Sequence, residues 1–314
     1  KYFSKIGQLT YFLSLGLLVL VFIIGVSING ASRWLTIAGL QFQPSDIAKL
    51  AILLFIARNL SKYRHLLHNF KDLFWYILMP LIIICILILP NNFSTAALVF
   101  INGLVLMFIG RVKIKFIFFT LITSFMLALS IYLFAKYTDI PSKIIPRSAT
   151  WVSRIDSFLF KKEGSIQTTD FQQTQALVAI QNGGIQGVGP GKSIQRNILP
   201  YSSSDFIFAI IIEEYGVIGG GVVIFLYLIL LFRAVKLALS TASVFGSLVA
   251  LGLMFSMVFQ ALINMLVSVE VLPVTGQTLP LISMGGTSIV FTCISMGIIL
   301  SISRDSSDRD YEKA

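Results

Sequence analysis

The chain has 314 residues, of which 56% are hydrophobic and 12% are charged, and its formal net charge is +10. Because a soluble domain carries roughly 25% charged residues, this composition excludes an ordinary soluble protein and indicates a polytopic membrane protein. We attribute the excess of Lys and Arg to cytoplasmic loops and to an anionic, lipid-linked substrate. The chain has no basic module interleaved with aromatic residues, so we expect no nucleic-acid partner.

Apolar runs along the chain predict about eight transmembrane helices. The fold class is therefore an all-α polytopic membrane helix bundle, formed by one domain over residues 1–314. The second run is short and opens with Pro-Ser-Asp, which is typical of a helix N-terminus. The chain begins at Lys1 and reaches an apolar run almost at once, so we expect an N-terminal truncation. The runs lie at 6–28, 45–60, 72–90, 93–110, 114–135, 206–232, 244–268 and 285–303.

Loop charges predict the side of the membrane that each loop faces. Lys and Arg cluster in three short loops, at 61–71, 111–115 and 233–242. The positive-inside rule places these loops in the cytoplasm, and both termini with them. The long loop at 136–205 is then extracytoplasmic, and its length is typical of a functional loop.

The end of the long loop contains a predicted helix and a glycine-rich stretch. The segment 169–184 predicts a helix that stops at glycine. The following sequence, GGIQGVGPGKS, lacks the glycine spacing of a nucleotide-binding P-loop. Two interpretations stay open: backbone amides that cradle a phosphate, or simple flexibility.

Three acids stand in or beside the apolar run that follows, where each charge costs about 2.5–3.5 kcal/mol on insertion scales. Asp205 opens the run, either as an acid at the positive end of a helix dipole or as a carboxylate at the rim of a cavity. Glu213 and Glu214 are adjacent, so at least one should face a bundle interior. As a single helix, 206–232 would measure ~40 Å, which predicts a strong tilt or a break. A bend or a close helix contact is allowed by Gly216, Gly219, Gly220 and Gly221.

Other polar segments lie between the apolar runs. Arg33 and Trp34 precede the short second helix. Asp46 and Lys49 share one face of that helix at i, i+3 spacing, so we expect them to pair with each other. The stretch 271–290 holds two prolines and a Gly-Gly pair, which predicts a re-entrant or broken segment. We expect these segments to converge on one outward-facing cavity. Both histidines fall in a cytoplasmic loop, so carboxylates and cations remain as the available catalytic groups.

These segments, taken in order, resemble the SEDS family, the FtsW and RodA cell-wall polymerases. The matching stretches cover nearly the whole chain, and the forms GPGKSIQR and NNFSTA resemble division-type FtsW more than RodA. The family has ten helices, which implies that the first two are missing here. The matching stretches are NGASRWL…FQPSDIAKL, STAAL, GGIQGVGPGKSIQRNILP…SSDFIFAIIIEEYGVIGG and LPVTGQTLPLISMGGTS.

The resemblance implies a peptidoglycan glycosyltransferase that polymerises lipid II on the outer face of the bacterial cytoplasmic membrane during cell division. The essential carboxylate of the family maps to Asp205, for which we hypothesise a general-base role. Trp34 matches a family tryptophan that is important for activity, and Glu213 and Glu214 match the family's paired acids. Asp46 stands where the family usually has Glu.

The pyrophosphate of the substrate needs positive charge. We expect Arg33, Lys49, Arg196 or a divalent cation, Mg or Mn, to supply it. The resemblance also implies a class B penicillin-binding protein as transpeptidase partner, together with other divisome proteins.

Some family motifs differ here, and two other functions stay open. The family's PDLGTA reads NNFSTA, so an acid is absent, whereas Asp205 is intact. One alternative is a flippase that transports the same lipid precursor, which would also account for charged residues within the membrane. The other is a non-catalytic divisome scaffold.

Overall fold

The computed structural model describes residues 2–28, 31–37, 40–137, 148–159, 168–199 and 202–311. It is predominantly helical, and all eight predicted apolar runs form helices or helical segments, which confirms the all-α fold class. The helices are α1 (Tyr2–Ile24), α2 (Pro44–Lys62), α3 (Phe70–Leu73), α4 (Met79–Ile88), α5 (Phe93–Ile109), α6 (Ile114–Tyr137), α7 (Ser148–Leu159), α8 (Thr168–Gly183), α9 (Gln195–Ile198), α10 (Ile207–Ser240), α11 (Val244–Ser268) and α12 (Thr287–Tyr311).

Six of the described helical segments are long and apolar enough to cross a membrane: Lys5–Ile24, Phe70–Ile88, Ile114–Tyr137, Ile207–Ser240, Val244–Ser268 and Thr287–Arg304. Helix α5 is apolar but has only 17 residues. Helix α2 begins at Pro44, as its opening motif predicts, because proline lacks the N–H that the first turn leaves unpaired.

A small antiparallel sheet connects α1 to α2, where the sequence analysis predicts no strand. Its strands are β1 (Val26–Ile28), β2 (Ala31–Ile37) and β3 (Leu40–Phe42), in the order β1-β2-β3. Leu35 is buried and pairs with Phe42, while its neighbour Trp34 pairs with Val26. Strands this short give a weak period-2 signal, and pairing between neighbours is what stabilises them.

The chain divides into two compact units. Unit 1 comprises residues 1–149, 233–256 and 293–314, and unit 2 comprises residues 150–232 and 257–292. In unit 1, Ile52 and Ile56 of α2 are fully buried, and Gly103 of α5 lies so close to Leu81 that a Cβ would approach it to 2.6 Å. Small residues at such contacts let helices approach closely, which matters in a membrane because lipid tails are as apolar as leucine.

A π-helical turn, Phe74–Leu78, joins α3 to α4 in unit 1. Asn59 of α2 is buried and donates its side-chain N–H to the carbonyl of Tyr76 at 2.7 Å. A π-turn alters the regular pattern of backbone hydrogen bonds in a helix. The side-chain amide of Asn59 therefore supplies a donor to the carbonyl of Tyr76 within this turn.

The predicted break in α10 occurs at Gly216, in unit 2, where φ is 69° and ψ is −177°. A glycine-rich loop, residues 184–194, lies against this break. Val188 N–H donates to the carbonyl of Glu213 at 2.9 Å, and Val217 N–H donates to that of Gly184 at 2.9 Å. The break therefore has backbone partners on both sides, as irregular backbone at membrane depth requires.

We predict that Gly216→Ala strongly destabilises the protein. The backbone angles at this position are adopted almost only by glycine, at a cost of order 1–3 kcal/mol for other residues. In addition, a Cβ would lie 2.0 Å from the carbonyl oxygen of Ile185. Thermal unfolding of the purified protein in detergent measures the effect.

Gly221→Ala is the matched control, because it lies on the same helix with no neighbouring atom within 4 Å of an added Cβ. We expect its melting temperature to equal or exceed the wild-type value, since alanine favours helix by about 0.5–1 kcal/mol. Equal stability of the two variants would contradict the packing of the glycine-rich loop on the break.

Candidate functional site

Asp205 lies two residues before α10, in a turn formed by residues 202–206. The next residue, Phe206, is 1% exposed and packs in a hydrophobic cluster of unit 2 with Ala176 and Ala179 of α8 and with Val267 of α11. The bulky ring anchors the turn. The adjacent carboxylate is thereby held at the entrance of the membrane helix while remaining partly accessible.

The broken segment predicted at 271–290 is confirmed, because residues 271–286 are irregular and α12 starts at Thr287. Hydrogen bonds fasten this segment to the turn of Asp205. Ser283 Oγ donates to the carbonyl of Ser204 at 2.6 Å, and Met284 N–H donates to that of Ser203 at 2.9 Å. Gly276 lies beside the carboxylate, 3.7 Å from Asp205 Oδ2 to the position of an added Cβ.

Burial raises the pKa of Asp205, and two smaller effects oppose it. The hydrogen bond with the Ser204 side chain and the positive charge of Arg154 each lower this pKa. Arg154 is half-buried on α7 and donates from Nη1 to the carbonyl of Val274 at 2.9 Å. The carboxyl is thus more basic than an ordinary aspartate, and a cation lies near enough to favour its ionised form.

Glu213 is 1% exposed, which confirms that one of the two adjacent acids faces an interior. Its carboxylate accepts hydrogen bonds from Ser193 Oγ, from the backbone N–H of Gln195 at 3.3 Å and from Asn182 Nδ2 at 3.5 Å. Among the described residues these donors are neutral. Glu214 is half-buried, and its carbonyl accepts from the N–H of Gly189 at 3.0 Å.

Glu213 is linked to the turn of Asp205 by further hydrogen bonds. Ser193 Oγ also accepts from the N–H of Arg196 at 3.0 Å, and Ser202 Oγ donates to the carbonyl of Arg196 at 3.0 Å. The structure therefore brings Glu213, Arg196 and Asp205 together in one connected part of unit 2. Glu213 serves here as an anchor for the segment that bears Arg196, and direct contact with substrate stays a prediction for both.

Arg33, Trp34, Asp46 and Lys49 lie in unit 1. Arg33 Nε donates to the carbonyl of Asn91 at 2.7 Å. The predicted pairing on α2 is confirmed, because Lys49 Nζ lies 2.8 Å from Asp46 Oδ1 and both side chains are largely buried.

Three polar residues of unit 2 were missed by the sequence reasoning: Arg154, Gln260 and Asn264. Gln260 and Asn264 are buried on α11 and donate to the carbonyls of Thr278 and Gln277, respectively. Two amides at i, i+4 in an apolar helix were the available signal, because buried amides in a membrane require partners. Arg154 had no comparable signal within its loop.

A divalent cation was also expected. The described part of the chain contains no cluster of three or more His, Cys, Asp or Glu side chains suited to a metal ion. The divalent cation therefore stays a prediction.

Known proteins resemble this chain along nearly its whole length. The model of the FtsW/RodA/SpoVE family, described as "Cell cycle protein", matches residues 1–308. A probable peptidoglycan glycosyltransferase FtsW of Methylomonas methanica is 32% identical and covers 96% of this chain and 76% of its own length. The corresponding Haemophilus influenzae protein is 34% identical, and the match covers 98% of this chain and 74% of that protein. Stage V sporulation protein E of Bacillus subtilis is 33% identical, and the match covers 92% of this chain and 76% of that protein.

Solved structures have the same fold. A chain from "Structural coordination of polymerization and crosslinking by a peptidoglycan synthase complex" superposes with a TM-score of 0.75 at 27% identity, covering 97% of this chain and 82% of that one. The rod shape determining protein RodA of Thermus thermophilus has a TM-score of 0.63 at 24% identity, with coverages of 96% and 79%. With a family match over residues 1–308 and relatives above 30% identity, this chain belongs to the FtsW/RodA/SpoVE family.

Proposed function

We propose that the chain is a multi-pass peptidoglycan glycosyltransferase of the bacterial cytoplasmic membrane that polymerises lipid II during cell division, with Asp205 as its general base. The activity follows from family membership and from relatives named peptidoglycan glycosyltransferase FtsW. The role of Asp205 is supported by one observation: a partly accessible carboxylate with a raised pKa is fixed at the start of a membrane helix.

The reaction joins an acceptor sugar to a donor sugar. Asp205 takes the proton of the acceptor 4-hydroxyl as its oxygen forms a bond to the anomeric carbon of the donor. The bond from that carbon to the pyrophosphate oxygen breaks, and lipid-linked pyrophosphate leaves with the bonding electrons and with inversion. A raised pKa suits this step because a stronger base accepts the proton more readily, provided that it is ionised at the working pH.

The leaving pyrophosphate is stabilised by cations in this proposal. Arg196 and Arg154 are two cations of the unit that contains Asp205, and Arg33 and Lys49 are the cations proposed from unit 1. Positively charged side chains aimed at developing negative charge act most strongly where water is excluded. Trp34 and Asp46 complete the proposed substrate contacts. Glu213 and Glu214 hold the segment that bears Arg196.

The proposed orientation follows the loop charges. Both ends of this chain face the cytoplasm, and the segment before Asp205 faces outward, where the sugar of lipid II is polymerised. We further propose a class B penicillin-binding protein as the partner that crosslinks the new strands. The similarity to a chain of a peptidoglycan synthase complex supports this pairing.

We predict that Asp205→Asn and Asp205→Ala each reduce lipid II polymerisation by about 10²–10⁴-fold, because general-base catalysis contributes that much. Polymer length and initial rate are measured on gels with purified lipid II, in the presence of the partner. Asp72→Asn, which removes a carboxylate from the first turn of α3 in unit 1, is the control and should retain activity.

Three outcomes would contradict this proposal, and two of them would favour another function. Undiminished polymer from the folded Asp205 variants would remove this residue from catalysis. Lipid II translocation in liposomes that survives Asp205→Ala but fails in Glu213→Gln would support a flippase, and no polymer from the wild-type protein with its partner would support a scaffold.

The raised pKa of Asp205 predicts that the acidic limb of the pH–rate profile, where activity falls with falling pH, lies at unusually high pH. The protonated carboxyl cannot accept a proton, so kcat/KM should fall as pH is lowered through this pKa, above the ordinary value of about 3.9. Arg154→Gln should move the limb to still higher pH because it removes a charge that lowers the pKa. Arg154→Lys keeps the charge and should leave the limb close to its wild-type position; coincident profiles for all three proteins would contradict this account.

A further inference from the structure

Asn264 is 1% exposed on α11, and its side chain connects two segments that are distant in sequence. Its Nδ2 donates to the backbone carbonyl of Asp205 at 2.7 Å and to that of Gln277 at 2.7 Å. Both N–H bonds of one amide are therefore used to hold the turn of Asp205 against the irregular 271–286 segment.

One atom of this amide is left without a partner. Asn264 Oδ1 is buried and has no hydrogen-bond partner among the described residues. An unpaired polar atom in an apolar surrounding is costly, and the two donated hydrogen bonds offset that cost, because an apolar side chain would leave the carbonyls of Asp205 and Gln277 without this donor. The same two bonds fix the segments that carry those carbonyls to each other.

The bond from Asn264 acts on the part of the loop nearest the carboxylate. Gly276, the residue before Gln277, adopts a φ of 66° and lies against Asp205 Oδ2. Gln260, one turn earlier on α11, donates to the carbonyl of Thr278 at 2.9 Å, so the irregular segment has a second attachment to this helix. Asn264 bonds both the turn of Asp205 and this segment, and thus fixes them to each other.

We propose that Asn264 is a positioning residue. Through its two donated hydrogen bonds it sets the position of the Asp205 carboxylate relative to the 271–286 segment, and the solvent exposure of that carboxylate. The inference rests on the proposed role of Asp205 as general base. A displacement of about 1 Å in such a group reduces turnover by about 10²-fold, because proton transfer requires the reacting atoms at contact distance.

The test compares Asn264→Ala with wild-type protein in lipid II polymerisation, across pH. We expect kcat to fall by about 10–10²-fold with KM changed less than about threefold, since substrate contacts are unaffected. The acidic limb should move to lower pH, because release of the loop exposes the carboxyl and reduces the burial that raises its pKa.

Asn102→Ala is the matched control. Asn102 is likewise a buried amide in a membrane helix, donating to Ser256 Oγ at 2.8 Å with its own Oδ1 unpartnered among the described residues, but it belongs to unit 1. Any loss of melting temperature shared by the two variants reports the removal of a buried amide. A shift of the acidic limb in Asn264→Ala alone reports positioning.

Asn264→Asp keeps the size and shape of the side chain. This variant therefore provides a second test if Asn264→Ala fails to fold. Only its protonated form can donate a hydrogen bond to a carbonyl, so its kcat should decline as pH rises, opposite to the wild-type trend at low pH. Wild-type kcat and an unmoved limb in both variants would overturn the proposal. Activity retained by Asp205→Asn would instead overturn the general-base function while leaving the structural link intact.

Discussion

The need to satisfy backbone polar groups at membrane depth is the constraint on which the rest of unit 2 depends. Helix α10 breaks at Gly216, and each peptide group freed by a break costs free energy unless it finds a partner. The glycine-rich loop supplies those partners through hydrogen bonds between backbones. The close approach of the loop requires glycine at position 187, because a Cβ on Gly187 would lie 2.3 Å from the carbonyl oxygen of Glu214.

This requirement explains why an acid is tolerated beside the break. Glu213 lies where the loop turns back, so its carboxylate accepts donors from Ser193 and Gln195 that would otherwise need water. These hydrogen bonds replace the ones that water would otherwise make to this buried carboxylate. The free-energy cost that insertion scales assign to Glu213 is thus offset locally, and the loop that Glu213 anchors carries Arg196 toward the turn of Asp205.

The sequence predicted the elements better than the contacts between them. Hydropathy located the eight apolar runs, proline located the start of α2, and the excessive length of one run predicted a tilt or a break, which occurs at Gly216. These features are local, so composition and spacing reveal them. The bond between Arg154 and Val274 joins residues 120 positions apart, and that between Asn264 and Asp205 joins residues 59 positions apart. No local pattern specifies such pairs, because only the packed fold decides which carbonyl needs a donor.

The site residues divide in the same way. Asp205 was identified because an acid at the edge of an apolar run is anomalous, and the family resemblance selected it among three acids. The sequence does not predict the short strands or the role of Asn264. A brief alternation of apolar and polar residues, or a single amide, is common in any sequence.

The burial of Asp205 gives the site two opposed requirements. A general base must be basic enough to take a hydroxyl proton, which burial promotes, yet ionised before it acts, which burial opposes. Ser204 and Arg154 act against burial, and both are held by the irregular 271–286 segment, through Ser283 and Val274. The same segment both lies beside the carboxylate and positions the groups that favour its ionised form. A small displacement of this segment therefore changes the exposure of the base and the position of its cation together, which accounts for the number of buried donors that fasten it to α11 and to the turn.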